Sequence, residues 1–186
     1  VTVHHIVADA WSVGVLFNEL SILYDMYSGT RSSPLPDLPV QYADFAVWQR
    51  HWLQGEAFES QISYWKKQLE NNLSIAELPG DRTRPARETF RGGRQYFVLP
   101  QSVIEAAKKL SRREGTTLFM LLLAAFKVLL YRYTEHENVI VGSPIAGRNR
   151  AEVDNLIGLF VNTLVLRTDC SGNPSFRSLL KRVRDA

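Results

Sequence analysis

The chain has 186 residues, 45% of them hydrophobic and 22% charged, which suits a substantial core and carries no bias toward disorder or low complexity. Its 22 basic and 19 acidic residues leave a formal charge of +3, too even a balance to point to a nucleic-acid partner. The longest apolar run, 118–126, stops at Lys127 and is far too short to span a bilayer, so no membrane partner is expected either.

The stretch that begins Val1-Thr-Val-His4-His5 and runs on to Asp9 and Trp11-Ser12 reads as a short strand, a turn and then a helix. Val1 and Val3 alternate around Thr2 as in a half-buried strand, and Asp9 or Ser12 can cap the apolar series Leu16, Leu20, Leu23, Tyr24 and Tyr27, which Gly29 closes. Two adjacent histidines and an aspartate four residues after the second place imidazole and carboxylate at one turn, where a scaffold presents chemistry. The plainer alternative is one buried, hydrogen-bonded imidazole beside an exposed one. A metal site would need a third ligand from His51 or His136, and neither has a partner at ligand spacing.

Pro34, Pro36 and Pro39 predict an extended surface crossing. Tyr42, Phe45, Trp48 and Trp52 then recur at helical spacing, an aromatic stripe expected to pack into a core. After Gly55 a further helix is predicted over 58–69, with Tyr64 and Trp65 facing inward. From 79 to 93 the composition turns to Pro, Gly and Arg without periodicity, which places a subdomain boundary there; Arg82, Arg84, Arg87, Arg91 and Arg94 read as a solvated loop, because only Phe90 and Tyr96 interleave them.

A strand over 96–99 is followed by a capping-box pattern, Ser102 to Glu105, that starts a helix closed by Gly115. Thr116 or Thr117 caps the next helix, 118–133, apolar nearly all round and so expected to be central and buried. Residues 139–141 read as a buried strand running into a loop with Gly142, Gly147 and Arg148, where backbone can approach a ligand or another residue closely. Residues 157–167 read as another strand holding Asn162 and Thr163 among apolar neighbours, where they need hydrogen-bond partners. Cys170 is the only cysteine, which excludes an internal disulfide framework and fits a reducing compartment; its neighbours Asp169 and Ser171 offer no activating base, so no nucleophilic role is expected. Strands alternating with helices, without internal repeat, argue an α/β fold. The chain opens on Val rather than Met, without a signal-peptide pattern, and stops in an amphipathic helix begun near Ser175, so it is expected to be part of something longer.

Several of these stretches together resemble one family. His4-His5-Ile-Val-Ala-Asp9-Ala-Trp11-Ser12 resembles the HHxxxDGWS motif of condensation domains in nonribosomal peptide synthetases, and the segment from Tyr42 to Arg50 is similar to their YxDYAVWQR motif. The segments 142–148 and 157–163 look like the family's later IGxFVNT region, in the same order. The resemblance implies a chloramphenicol-acetyltransferase-like fold of two subdomains with the active site in a tunnel between them, incomplete here at both ends. Residues 1–78 would form the C-terminal part of the first subdomain and 79–186 the first part of the second.

The implied reaction is amide formation: the amine of an acceptor aminoacyl thioester attacks the thioester carbonyl of a donor aminoacyl or peptidyl group. No cofactor is bound directly; phosphopantetheine arms arrive on partner donor and acceptor carrier domains. A flanking adenylation domain and a cytoplasmic location follow from the same resemblance. An α-amine with a pKa of about 8 is partly neutral at physiological pH, so positioning, which can supply about 7–11 kcal/mol, needs little help from a base.

The motif makes His5 the candidate to orient the amine and take its proton, as base or as positioner. His4 is expected to pack or hydrogen-bond at the strand end. Asp9 would hold the site through a buried arginine, for which Arg148 is the candidate, and breaking such a pair costs about 3–5 kcal/mol. The backbone N–H groups of Ala10 and Trp11 could meet the oxyanion, and Asn162 and Trp11 are candidate tunnel-lining residues. Ala10 stands where the motif has glycine, so a positive φ there would cost on the order of 1–2 kcal/mol. An epimerisation domain, whose motif continues Val-Ser-Trp rather than Ala10-Trp11-Ser12, and a noncatalytic carrier-docking module are the alternatives. The isolated 186-residue piece is expected to be inactive or poorly soluble.

Overall fold

In the computed structural model, which describes residues 1–29, 35–70, 78–80, 87 and 89–186, the chain forms six α-helices and two strands among those residues. The expectations for Pro34, Arg82 and Arg84 lie outside them. Contacts divide the chain into two compact units, Val1–Gln68 with Gly142–Leu164 and Leu69–Val141 with Val165–Ala186. These units are discontinuous in sequence, where the change of composition pointed to a single cut at residue 79.

In the first unit, α1 (Ala10–Tyr27) begins where the Asp9 side chain accepts from Ser12 N–H, and it ends at Ser28, with Gly29 at a φ of +78°. Only Ser12 is fully buried on this helix, while Leu20, Tyr24 and Tyr27 of the expected apolar series are exposed. Helix α2 (Tyr42–Trp52) opens on reciprocal bonds between Gln41 and Asp44, a capping box not anticipated from the sequence. Its aromatic stripe divides: Tyr42 and Phe45 pack on Val153, Leu156 and Phe160, whereas Trp48 and Trp52 stack on each other at 5.8 Å and stay exposed. Helix α3 (Gly55–Leu69) starts at the glycine itself, and Tyr64 is exposed while Trp65 is half-buried against it.

The strand expected at residues 1–3 is absent: Val1 and Val3 are exposed coil, because no other described strand offers hydrogen bonds to that edge. Tyr96 to Val98 is coil for the same reason. The two strands that do form, β1 (Asn138–Ile145) and β2 (Asn162–Asp169), pair with each other. They run antiparallel, with Cys170 N–H donating to Glu137 C=O at one end and Thr163 beside Gly142 at the other. β1 therefore extends beyond the predicted 139–141, and β2 begins later than the predicted 157 because 151–153 is a 3₁₀ turn and 154–161 is irregular.

In the second unit, α4 (Gln101–Arg113) is capped at Pro100 without a side-chain bond, so the Ser102–Glu105 capping box does not form; Glu105 instead accepts from Gln101 at 2.8 Å. Helix α5 (Leu118–Thr134) is capped by the Thr117 hydroxyl, as the pattern suggested. One face of α5 is buried, with Leu121 and Ala124 packed on Leu180 and Val183 of α6 (Phe176–Asp185), which Ser175 caps. Its other face, including Phe119, Leu122, Phe126 and Leu129, is about half exposed, so α5 is not the all-round buried helix expected. Lys127 lies wholly inside, donating to Leu166 C=O at 2.9 Å and to Thr168 Oγ1 at 2.6 Å.

Candidate active site

The segment ahead of α1 is a turn built on its own first histidine. Val7 N–H donates to His4 C=O at 3.1 Å, and Ile6 N–H donates to His4 Nδ1 at 3.1 Å, which leaves Nδ1 without a proton. His4 therefore hydrogen-bonds within the turn and does not pack. His5 sits in that turn, exposed, and its side chain makes no hydrogen bond among the described residues.

Four residues on, the chain is anchored. The Asp9 carboxylate is 4% exposed. Its Oδ1 accepts from Ser12 N–H and from the Ser12 hydroxyl, both at 2.8 Å, and its Oδ2 accepts from Phe160 N–H at 3.0 Å. Burial alone would raise its pKa. The backbone N–H groups of Ser12 and Phe160, the Ser12 hydroxyl and the charge of Arg148 together outweigh burial and hold it at about 2.

Arg148 closes the cluster, with its side chain fully buried. Its Nη2 is 2.8 Å from Ser12 Oγ and 3.5 Å from Asp9 Oδ1, and its Nη1 donates to the carbonyls of Val153 and Asp154. The guanidinium lies 4.0 Å over the Phe160 ring and 5.8 Å from the Trp11 ring. Trp11 Nε1 donates to Asp154 C=O at 2.9 Å, so this side chain braces the 151–158 segment while its ring stays half exposed.

Two glycines let the backbone come this close. Gly147 adopts a φ of +67°, and a Cβ there would stand 2.0 Å from Phe160 C=O. At Gly158 a Cβ would meet the Tyr42 ring at 2.1 Å, and the Tyr42 hydroxyl donates to Leu159 C=O at 2.9 Å. The structure thus brings Asp9, Arg148 and Trp11 together. It adds Ser12, Gly158, Phe160 and Tyr42, which stand in the sequence motifs but had no site role on sequence grounds.

Asn162 and Thr163 are exposed, and the Asn162 side chain accepts from Thr163 N–H at 2.7 Å, a local bond that needs no buried partner. Ala10 has a negative φ as the first residue of α1, so the strain tied to the missing glycine does not arise. The Ala10 and Trp11 N–H groups lie in the first helical turn, where no intrahelical acceptor exists. Burial pushes the Cys170 thiol up, in keeping with an inert cysteine. No group of three or more His, Cys, Asp or Glu able to hold a metal occurs among the described residues. A cavity of about 290 Å³ lies elsewhere in the first unit, lined by Val40, Phe45, Trp48, Arg150 and Val153, and none of the residues from His4 to Ser12 reaches it.

Among known proteins, the chain is 51% identical over 182 residues to one of the linear gramicidin synthase subunits of Brevibacillus parabrevis, covering 98% of this chain and 4% of that protein. Among solved structures it resembles the SgcC5 protein of Streptomyces globisporus at 33% identity and a TM-score of 0.84, over 98% of this chain and 41% of that one. It also resembles the X-domain in the complex with OxyB from teicoplanin biosynthesis, at 29% identity and a TM-score of 0.88, over 99% and 42% of the two chains. The epimerization domain TycB3(E) of tyrocidine synthetase B shares the fold, at 20% identity and a TM-score of 0.80, over 98% and 42%. The fold is the expected chloramphenicol-acetyltransferase-like α/β arrangement, of which the chain spans about two fifths of each of these solved chains. With the condensation-domain family model matching all of residues 1–186, the chain belongs to the condensation-domain family.

Proposed function

We propose that the chain is the part of a nonribosomal peptide synthetase condensation domain that carries the amide-forming histidine, His5. The observation that supports this most is the anchoring of the His5 turn: Asp9, four residues downstream, is tied by its side chain to Phe160 N–H and the Ser12 hydroxyl, while the His5 imidazole itself stays free. A fixed backbone with an uncommitted imidazole is what positioning of a nucleophile requires. The acceptor amine attacks the donor thioester carbonyl, the C–N bond forms, and the C–S bond breaks to leave a thiolate on the donor arm, which the proton lost by the amine converts to the free thiol. His5 orients the amine and takes its proton. The first-turn N–H groups of Ala10 and Trp11 are the donors for the oxyanion.

Donor and acceptor carrier domains bring both substrates on phosphopantetheine arms, and an adenylation domain of the same synthetase loads them. The 1–78 and 79–186 portions remain our assignment to the first and second condensation subdomains. The test uses the parent synthetase with its two carriers loaded with different aminoacyl groups and intact mass spectrometry on the acceptor arm. Dipeptidyl mass is expected in the wild type, falling by about 10²–10⁴ in His5→Ala. Unchanged dipeptide formation in the variant would leave His5 without a role. No dipeptide from the wild type, with deuterium exchanging at the donor stereocentre, would favour epimerisation instead.

A further inference from the structure

The direct ion pair between Asp9 and Arg148 is a long one. Arg148 Nη2 is 3.5 Å from Asp9 Oδ1, long for a charge-assisted bond, and 2.8 Å from Ser12 Oγ, which is itself 2.8 Å from the same carboxylate oxygen. The serine hydroxyl bonds both charges from one side of the pair, closer to each than they are to one another. It also accepts from Gly158 N–H at 3.0 Å and lies 2.7 Å from Gly158 C=O, which in turn accepts from Asp9 N–H at 3.2 Å.

Ser12 is 0% exposed and has one proton to give, with two acceptors in reach, Asp9 Oδ1 and Gly158 C=O, and two donors aimed at its lone pairs. No solvent can replace any of these bonds, so the hydroxyl is the common point of α1, the arginine and the 158–160 backbone.

We propose that Ser12 is a positioning residue for the reaction, acting through Asp9 and Arg148 to fix the backbone that carries His5. Without the hydroxyl, Arg148 Nη2 keeps only its long contact to Asp9 while Nη1 still bonds Val153 and Asp154 C=O, and Gly158 N–H loses its acceptor. The Asp9 side chain then keeps Ser12 N–H, Phe160 N–H and the long contact to Arg148, its own N–H keeps Gly158 C=O, and the turn that holds His5 gains freedom relative to the 158–160 segment. This inference rests on the amide-forming reading.

Two isosteres separate the hydroxyl from side-chain volume in the parent synthetase, with the loaded acceptor carrier supplied in trans. Ser12→Val is expected to lower kcat for dipeptide formation roughly 100-fold, the scale of a misplaced reacting group. Ser12→Thr, which keeps the oxygen, recovers to within about tenfold of wild type, and KM for the acceptor carrier stays within about twofold in both, as for a loss confined to the transition state. Equal losses in Thr and Val, or losses seen only in KM, overturn the proposal.

Amide hydrogen exchange on Ser12→Ala in the same protein gives a second reading that survives poor folding of the bulkier variants. Faster exchange confined to peptides covering 4–9 and 158–160 is expected, and exchange unchanged there, or raised equally across α4 to α6, overturns it. If the wild-type synthetase forms no dipeptide, the amide-forming reading fails, and the exchange comparison still decides whether Ser12 holds the His5 turn.

Discussion

Asp9 carries the most testable chemistry at the scale of single residues. Its carboxyl is held at about 2 against an ordinary 3.8, so the folded chain binds this proton more weakly than the unfolded chain. The stabilisation is complete above pH 3.8 and is lost as pH falls from 3.8 through 2, worth about 2 kcal/mol in all. Acid unfolding followed by tryptophan fluorescence should show that Asp9→Asn is less stable at neutral pH and lacks this stretch of pH dependence. An unchanged acid profile would mean that the carboxylate is not the anchor its contacts describe. Asp9 and Arg148 were legible as partners from the motif, but the hydroxyl that bonds both was not. A serine near a helix start reads equally well as an ordinary cap, and nothing local reveals that its other bonds come from residues 148 and 158.

Helices with local signals were read well. Asp9 and Thr117 do cap α1 and α5, and the stripe from Tyr42 does begin a helix, because caps and 3.6-residue periodicity are written within a few residues. Strands fared worse: 1–3 and 96–99 have the right alternation, but a strand exists only where a neighbour supplies its hydrogen bonds. Lys127 shows how one polar residue fixes an apolar helix to a strand. Burial pulls its pKa down to about 8 from 10.5 despite the Cys170 thiol nearby, while it is held by Leu166 C=O and Thr168 Oγ1 on β2. The unfolded chain binds this proton more tightly between pH 8 and 10.5, so stability should rise with pH across that window by about 3 kcal/mol. Urea unfolding at successive pH values should show a more positive slope across that window in wild type than in Lys127→Met, where only the raised Cys170 thiol remains and pulls the other way; identical slopes would place the lysine in contact with water.

For the whole molecule, the apolar surface matters most. Phe119, Leu122, Phe126, Leu129 and Tyr133 recur along one side of α5 and are each between 45% and 60% exposed. A continuous stripe of that kind drives association. The isolated 186-residue chain should therefore scatter light and form no dipeptide with loaded carriers, and Phe126→Glu should reduce the scattering. A monomeric, fully active isolated chain would refute this. The Asp9 cluster also has a consequence in time. Its bonds to Arg148 and Phe160 span 139 and 151 residues of sequence. At about 5–20 residues per second on the ribosome, the anchor of the histidine turn emerges roughly 8–30 s before the residues that hold it. Throughout that interval the Asp9 carboxylate, buried in the folded chain, is in water, so the turn is anchored only after Phe160 has been made. A translational pause between Asp9 and Phe160 would prolong the one period in which this site is open to chaperones and proteases.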